Sequence, residues 1–170
     1  MSDSIFLTGL ISSIVLVIGS AWPERKEKNW IFAAGNFGML GYASLAFFLN
    51  DNPIFFVLLE MLCSSASALT LFKVREKISM WIILIGGLAL LTWSYFLFED
   101  STTVFFILGL VALALGFISK NPLKKNLVFL IGCILISTFS FLKGDMIFFW
   151  LNAIFGLFSG FYLLKELRKR

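Results

Sequence analysis

Lys120–Leu142 reads KNPLKKNLVFLIGCILISTFSFL, and Lys143-Gly144-Asp145 follows it. Lys120, Lys124 and Lys125 lead into Asn126–Leu142, a run without a single Asp, Glu, Lys or Arg, and a carboxylate comes soon after. A helix that is apolar all round faces lipid or lies deep in a bundle. About 20 mostly apolar residues cross the roughly 30 Å hydrocarbon core of a bilayer. The flanks give the crossing a direction, because bases in short loops mark the cytoplasmic face.

The same unit, with a basic end, an apolar run and an acidic end, recurs along the chain in alternating direction. The runs are Ile5–Trp22, Trp30–Leu49, Pro53–Phe72, Ile78–Phe98, Thr102–Ser119, Asn126–Leu142 and Met146–Leu164, and only Glu60 interrupts them with a charge. Hydrophobic residues make up 59% of the sequence, well above a soluble domain. With seven crossings, one side collects Arg25, Lys26, Lys28, Lys73, Arg75, Lys77, Lys120, Lys124, Lys125, Lys165, Arg168, Lys169 and Arg170. The other side collects Asp3, Asp51, Glu99, Asp100 and Asp145, with Lys143 its single base. The expected fold is therefore an all-α, polytopic bundle of seven transmembrane helices, with its N-terminus outside and its C-terminus cytoplasmic. Trp22, Trp30 and Trp81 fall where inner-interface anchors belong, and Trp93, Ser94 and Tyr95 where an outer belt belongs. The first run has no basic segment ahead of it and reads as a retained span. Cys63 and Cys133 fall mid-run and read as free thiols. The net charge of +4 is accounted for by topology and anionic lipid headgroups, so nucleic acid is not an expected partner.

An internal repeat underlies the seven runs. An offset of 97 residues sets Leu16 on Leu113, Gly19 on Gly116, Lys28 on Lys125, Asn29 on Asn126, Phe32 on Phe129 and Gly35 on Gly132. After a shorter loop, an offset of 92 sets Glu60 on Asn152, Ser64 on Gly156 and Ser67 on Ser159. The chain then divides into a first three-helix repeat at 5–73, a linker helix at 78–98 and a second repeat at 102–165, within one integral membrane domain spanning 1–170. A linker is needed because three is odd, and the result is a parallel repeat about an axis along the membrane normal. Trp30, Trp81 and Leu127 also begin similar stretches, so one lone span followed by three hairpins is the rival parse.

Seven spans in a three-one-three plan, N-terminus outside, resemble the SWEET sugar transporters and the wider PQ-loop clan, whose plan the uptake transporters for nicotinamide riboside share. The clan's Pro-Gln pair is similar to Trp22-Pro23-Glu24, with Glu in place of Gln, and the second copy has Asn121-Pro122. The resemblance implies a transporter in which an Asn from the third helix of each repeat contacts substrate. Asn152 would fill that role, and Glu60 stands where the other Asn is expected. SWEET members carry hinge prolines inside their helices. Pro23, Pro53 and Pro122 all lie at run ends, so movement here would rely on glycines or on rigid bodies.

Glu60 is the sharpest residue in its own right. A carboxylate in a bilayer costs a few kcal/mol or more, so it faces the bundle interior or finds a partner. With Ser64 and Ser67 it forms an i, i+4, i+7 stripe. Asn152, Gly156 and Ser159 form the corresponding stripe in the last run. The expected substrate-binding residues are Glu60, Asn152, Ser64, Ser67 and Ser159, lining a cleft between the two repeats, with Asn36 on the cytoplasmic half of the path. Tight helix packing by small residues is the competing account of the same stripes. Gly35, Gly38 and Gly41 are expected at close helix contacts. Ser137, Thr138 and Ser140 are expected to bond back to their own helix, and the phenylalanines to coat the lipid face.

The sequence has no His. That excludes His-ligated haem, imidazole zinc sites and Ser-His triads. There is no mid-run Lys for a Schiff base and no phosphate loop. No catalytic residue, metal ligand or cofactor is expected, and the chain is not expected to be an enzyme. The expected function is a small transporter that moves a small polar solute, or an amine able to pair with Glu60, with Glu60 as the residue through which proton coupling would run. The alternative is a membrane-embedded structural or assembly subunit whose polar stripe binds a partner helix; a channel or pore-forming protein is a third possibility. Expected partners are the lipid bilayer and a small-molecule solute, with a homo-oligomer or a membrane partner protein left open. The expected location is the plasma or inner membrane.

Overall fold

The structure, a computed structural model, describes residues 3–21, 26–50, 52–98 and 100–168. Trp22, Pro23, Glu24 and Arg25 lie outside the described residues, as do Asp51, Glu99, Lys169 and Arg170. The Trp22 anchor and the Pro-Gln-like motif expected above fall among these.

Seven helices run through the described residues: α1 Asp3–Ala21, α2 Lys26–Asn50, α3 Phe55–Leu71, α4 Glu76–Phe96, α5 Thr103–Ile118, α6 Pro122–Leu142 and α7 Met146–Leu167. Each coincides with one of the seven apolar runs. Five of them, α1, α2, α4, α6 and α7, are long and apolar enough to cross a membrane, as in an integral membrane protein. α3 and α5 have 17 and 16 residues, about 25 Å and 24 Å of helix at the usual rise. The exposed surface is apolar too: Phe48, Phe72, Phe96 and Leu157 are each more than 70% exposed. Soluble monomers do not leave such surface bare.

Local chemistry explains where the helices start and stop. Asn121 caps α6, accepting from the Leu123 and Lys124 amides at 3.0 and 3.3 Å, with Pro122 in the first turn. The far end of α6 closes on Lys143-Gly144-Asp145. Gly144 has φ +78°, its amide donates to the Phe141 carbonyl, and the Asp145 amide donates to Ser140. This is the Schellman pattern. Buried Asp145 then starts α7, accepting from the Ile147 and Phe148 amides at 3.1 and 3.0 Å. α3 ends the same way, except that Lys73 takes the left-handed position, with φ 51°. Its amide donates to Thr70 and the Val74 amide to Leu69.

The chain forms two compact units, Met1–Ser79 and Met80–Arg170. The division falls near the start of α4, so the expected linker helix lies mostly in the second unit. In the first unit α2 packs against α1 and α3; in the second α6 packs against α5 and α7. Glycines set the closest approaches. A Cβ added at Gly35 of α2 would stand 2.8 Å from the Leu16 amide nitrogen and 3.0 Å from Leu16 Cα on α1. One added at Gly132 of α6 would stand 2.9 Å from Leu113 Cγ on α5. Gly19 lies against Phe32 and Gly116 against Phe129, each at 3.0 Å by the same measure. These pairs are the ones that the 97-residue offset superposes. Gly38 also meets α1, at Ser12, but a Cβ at Gly41 would have nothing within 4 Å, so Gly41 is not the close-contact point expected of it.

The phenylalanines are not only a coat. Phe55, Phe56, Phe106, Phe139 and Phe148 are fully buried, and Phe106 packs on Phe139 at 5.3 Å between ring centroids. On α4, Ile83, Gly87, Leu90 and Ser94 are buried along one stripe, while Trp81, Trp93 and Tyr95 are exposed. Ser94 thus leaves the expected outer belt and donates to the Leu90 carbonyl instead. Trp30, at the base-rich end of α2, is exposed as an interfacial anchor would be.

Candidate functional site

A cluster of buried polar side chains lies between α2 and α3. Ala33, Asn36, Met39, Ala43 and Ala46 give α2 a buried face of mostly small side chains, and small residues let helix backbones approach. Against it α3 sets Glu60, Ser64 and Ser67, one stripe at i, i+4 and i+7, all buried. Asn36 Nδ2 donates to the Phe32 carbonyl at 3.0 Å and to Ser67 Oγ at 2.7 Å. Ser67 donates to the Cys63 carbonyl at 2.9 Å, and Ser64 donates across the helix pair to the Asn36 carbonyl at 3.2 Å. Four of the six expected site residues, Asn36, Glu60, Ser64 and Ser67, are therefore brought to one helix interface in the first unit.

Glu60 is the exception within that cluster. It is 3% exposed, and its Oε2 has no hydrogen-bond partner. An unpartnered buried polar atom costs about 1–3 kcal/mol, and more when charged. Such groups are rare in native proteins, and each calls for an explanation.

Asn152 and Ser159 belong to the second unit. Asn152 is buried on α7 and donates to the Phe148 carbonyl at 2.9 Å. It lines an open groove of about 880 Å³ along α6 and α7, together with Cys133, Ser137, Gly156 and Phe161. Ser159 is half-buried and is not among the groove's lining residues. A Cβ added at Gly156 would stand 3.4 Å from Cys133 Cβ. The offsets place Gly156 on Ser64 and Cys133 on Asn36, so this close contact occupies the position of the Ser64–Asn36 bond. At this one position the first unit joins its helices by a hydrogen bond and the second packs them through small groups.

Some polar groups act in ways that the sequence did not announce. Ser137 donates to the Phe149 carbonyl of α7 at 2.9 Å instead of bonding back to its own helix. Thr138 and Ser140 do bond back, to Ile134 and Ile136. Neither Cys63 nor Cys133 is joined in a disulfide. Lys143 Nζ meets Asp100 Oδ2 at 2.9 Å. The one base of the acidic side is thus paired with an acid from the loop before α5. The Thr102 side chain, hydrogen-bonded to Asp100, and then the Lys143 ammonium lower the Asp100 carboxyl to about 2. Only the shared sidedness of the two loops could have announced this pair.

No family model, curated protein or solved structure matches this chain at a significant level.

Proposed function

We propose that the protein is a small transporter of the plasma or inner membrane that moves a small polar solute past Glu60. In this reading all seven helices cross the bilayer, from an outside N-terminus to a cytoplasmic C-terminus, as two parallel three-helix repeats joined by α4, on the plan of the SWEET and PQ-loop clan. The coincidence of close contacts, Leu16 on Gly35 and Leu113 on Gly132, supports the repeat. The Asp100–Lys143 pair supports the span count. Asp100 precedes α5 and Lys143 follows α6, so α5 must return over the distance that α6 covers. A bilayer thins locally around short spans at modest cost, which accommodates α3 and α5.

The observation that carries the transport reading is the buried Glu60 carboxyl, whose Oε2 has no partner, beside a hydrogen-bonded polar cluster. Ionisable groups kept inside a membrane mark solute and proton paths. A purely structural α2–α3 interface would gain from replacing it with an apolar side chain. The test is solute flux into proteoliposomes. Glu60→Gln and Asn152→Ala should each remain folded and monodisperse and lose at least about 90% of wild-type flux. Wild-type flux in both variants overturns the reading. Loss of a co-purifying membrane protein from both, with no solute stabilising the wild type, makes the chain an assembly subunit.

A further inference from the structure

The hydrogens of the α2–α3 cluster can be accounted for one by one. The Asn36 amide carries two N–H donors, and each hydroxyl of Ser64 and Ser67 carries one O–H. The orientation of Asn36 is fixed because the Phe32 carbonyl can only accept. Both N–H groups are then used, on Phe32 and on Ser67 Oγ. The Ser67 hydroxyl is used on the Cys63 carbonyl and the Ser64 hydroxyl on the Asn36 carbonyl. No donor of these three side chains is left to meet a ligand. What remains is acceptor capacity: lone pairs on the serine oxygens, and Glu60 Oε2 with no partner at all.

A site that only accepts discriminates by chemistry. A sugar or other polyol brings donors and acceptors together, and its acceptors would be left dry against this stripe. A primary ammonium has three N–H donors and no acceptor, and its charge matches the carboxylate. A quaternary ammonium has the charge without the donors.

We infer that the α2–α3 stripe takes a small primary ammonium ion, held by Glu60 with its N–H groups directed at the acceptor oxygens of the stripe. The inference deepens the transporter reading of Glu60 and rests on it. The experiment is thermal unfolding of the full chain in detergent at pH 7 and constant ionic strength, with ethanolamine, choline, glucose or sodium chloride as the added solute. Flux of the same solutes is measured in proteoliposomes. Ethanolamine in hundredfold excess over its Kd should raise the Tm by roughly 5 °C or more. Choline should bind at least tenfold more weakly, and glucose and sodium should give no shift. Glu60→Gln should lose the ethanolamine shift. Protection by choline equal to that by ethanolamine would show that charge alone is read, and protection by sodium alone would make the ligand a metal cation; either overturns the inference. Glucose protection and flux without ethanolamine protection overturn it as well, while the transporter reading stands. If no solute protects and none is moved, both fail. The comparison among solutes on the wild-type chain decides the matter even if Glu60→Gln does not fold.

Discussion

Gly35 and Gly41 stand on the same helix, and alanine at each should shift stability in opposite directions. In a helix interior alanine is favoured over glycine by about 1 kcal/mol. At Gly41 nothing opposes that gain, because an added Cβ has no neighbour within 4 Å. Gly41→Ala should therefore stabilise by up to about 1 kcal/mol. At Gly35 the same methyl group would stand 2.8 Å from Leu16 N and 3.0 Å from Leu16 Cα, well inside the usual contact of about 3.5–4.0 Å. Those are backbone atoms and cannot rotate away, so α1 must move. Overpacking of this kind costs typically 1–3 kcal/mol, which offsets the propensity gain or exceeds it. The two variants should differ by about 1–3 kcal/mol, or several °C in Tm for a chain of this size. Gly132→Ala should fall between them, since its nearest atoms, Leu113 Cδ2 at 2.8 Å and Cγ at 2.9 Å, belong to a side chain that can shift. Unfolding in mixed micelles, followed by tryptophan fluorescence, reads the order. If Gly35→Ala is as stable as Gly41→Ala, the α1–α2 contact is not as close as described, and the matching of contacts between the two units loses one of its members.

Ser67→Ala removes the acceptor for Asn36 Nδ2 and should destabilise by about 0.5–2 kcal/mol in the same titration; no change would mean that the 2.7 Å bond is not made. Asp100 offers a pH test. Its carboxyl lies at about 2 in the folded chain against roughly 3.9 when unfolded, so its contribution is complete above pH 4 and is lost as the pH falls through 2. The stability gap between wild type and Asp100→Asn should be flat from pH 7 to about 4 and then close, and in Lys143→Met the Asp100 titration should move up towards its ordinary value. Lys73→Gly relieves a left-handed lysine with φ 51° and should stabilise by about 1–2 kcal/mol, whereas Gly144→Ala, at φ +78°, should lose about as much.

Helix number and helix ends were legible in the apolar runs and the residues that flank them. An apolar run placed in lipid must be a helix to satisfy its own backbone, and Asn121-Pro122 and Lys143-Gly144-Asp145 carry the capping chemistry in their residue types. Helix faces were legible only in part. Gly35, Gly38 and Gly41 are spaced by three, and three residues fall about 60° short of a full turn. Gly35 and Gly38 can both meet α1, but Gly41 has rotated off that interface. The same limit applies to Ser137, Thr138 and Ser140, of which only Ser137 reaches its neighbour helix. A buried carboxylate could be read directly at Glu60. That its neighbours' donors are all used could not, because the accounting depends on which carbonyl each hydroxyl and amide hydrogen reaches.

The proposed repeat is unequal in its polar groups. Position by position, Asn36, Ser64 and Glu60 correspond to Cys133, Gly156 and Asn152. In the second unit Gly156 faces Cys133, where an added Cβ would stand 3.4 Å from the Cys133 Cβ, and the Asn152 amide is turned back onto its own helix at Phe148. Two equivalent polar stripes would suit a ligand that presents the same groups at both ends. Here the acid and the Asn36–Ser64–Ser67 cluster lie in one unit, and the matching positions of the other hold a thiol, a glycine and one amide, with Ser137 bonding α6 to α7 elsewhere. The ligand proposed above would be polarised to match, with a cationic donor end for Glu60 and little that needs hydrogen bonds elsewhere. Moving the acid should show whether the site travels with it. Glu60→Asn with Asn152→Glu in one chain exchanges the two residues, but Ser64 and Ser67 stay on α3 while Gly156 remains opposite Cys133. If the acceptor stripe makes the site, ethanolamine protection is lost in the exchanged chain; if a carboxylate at either position suffices, protection survives, and the stripe has no part in recognition.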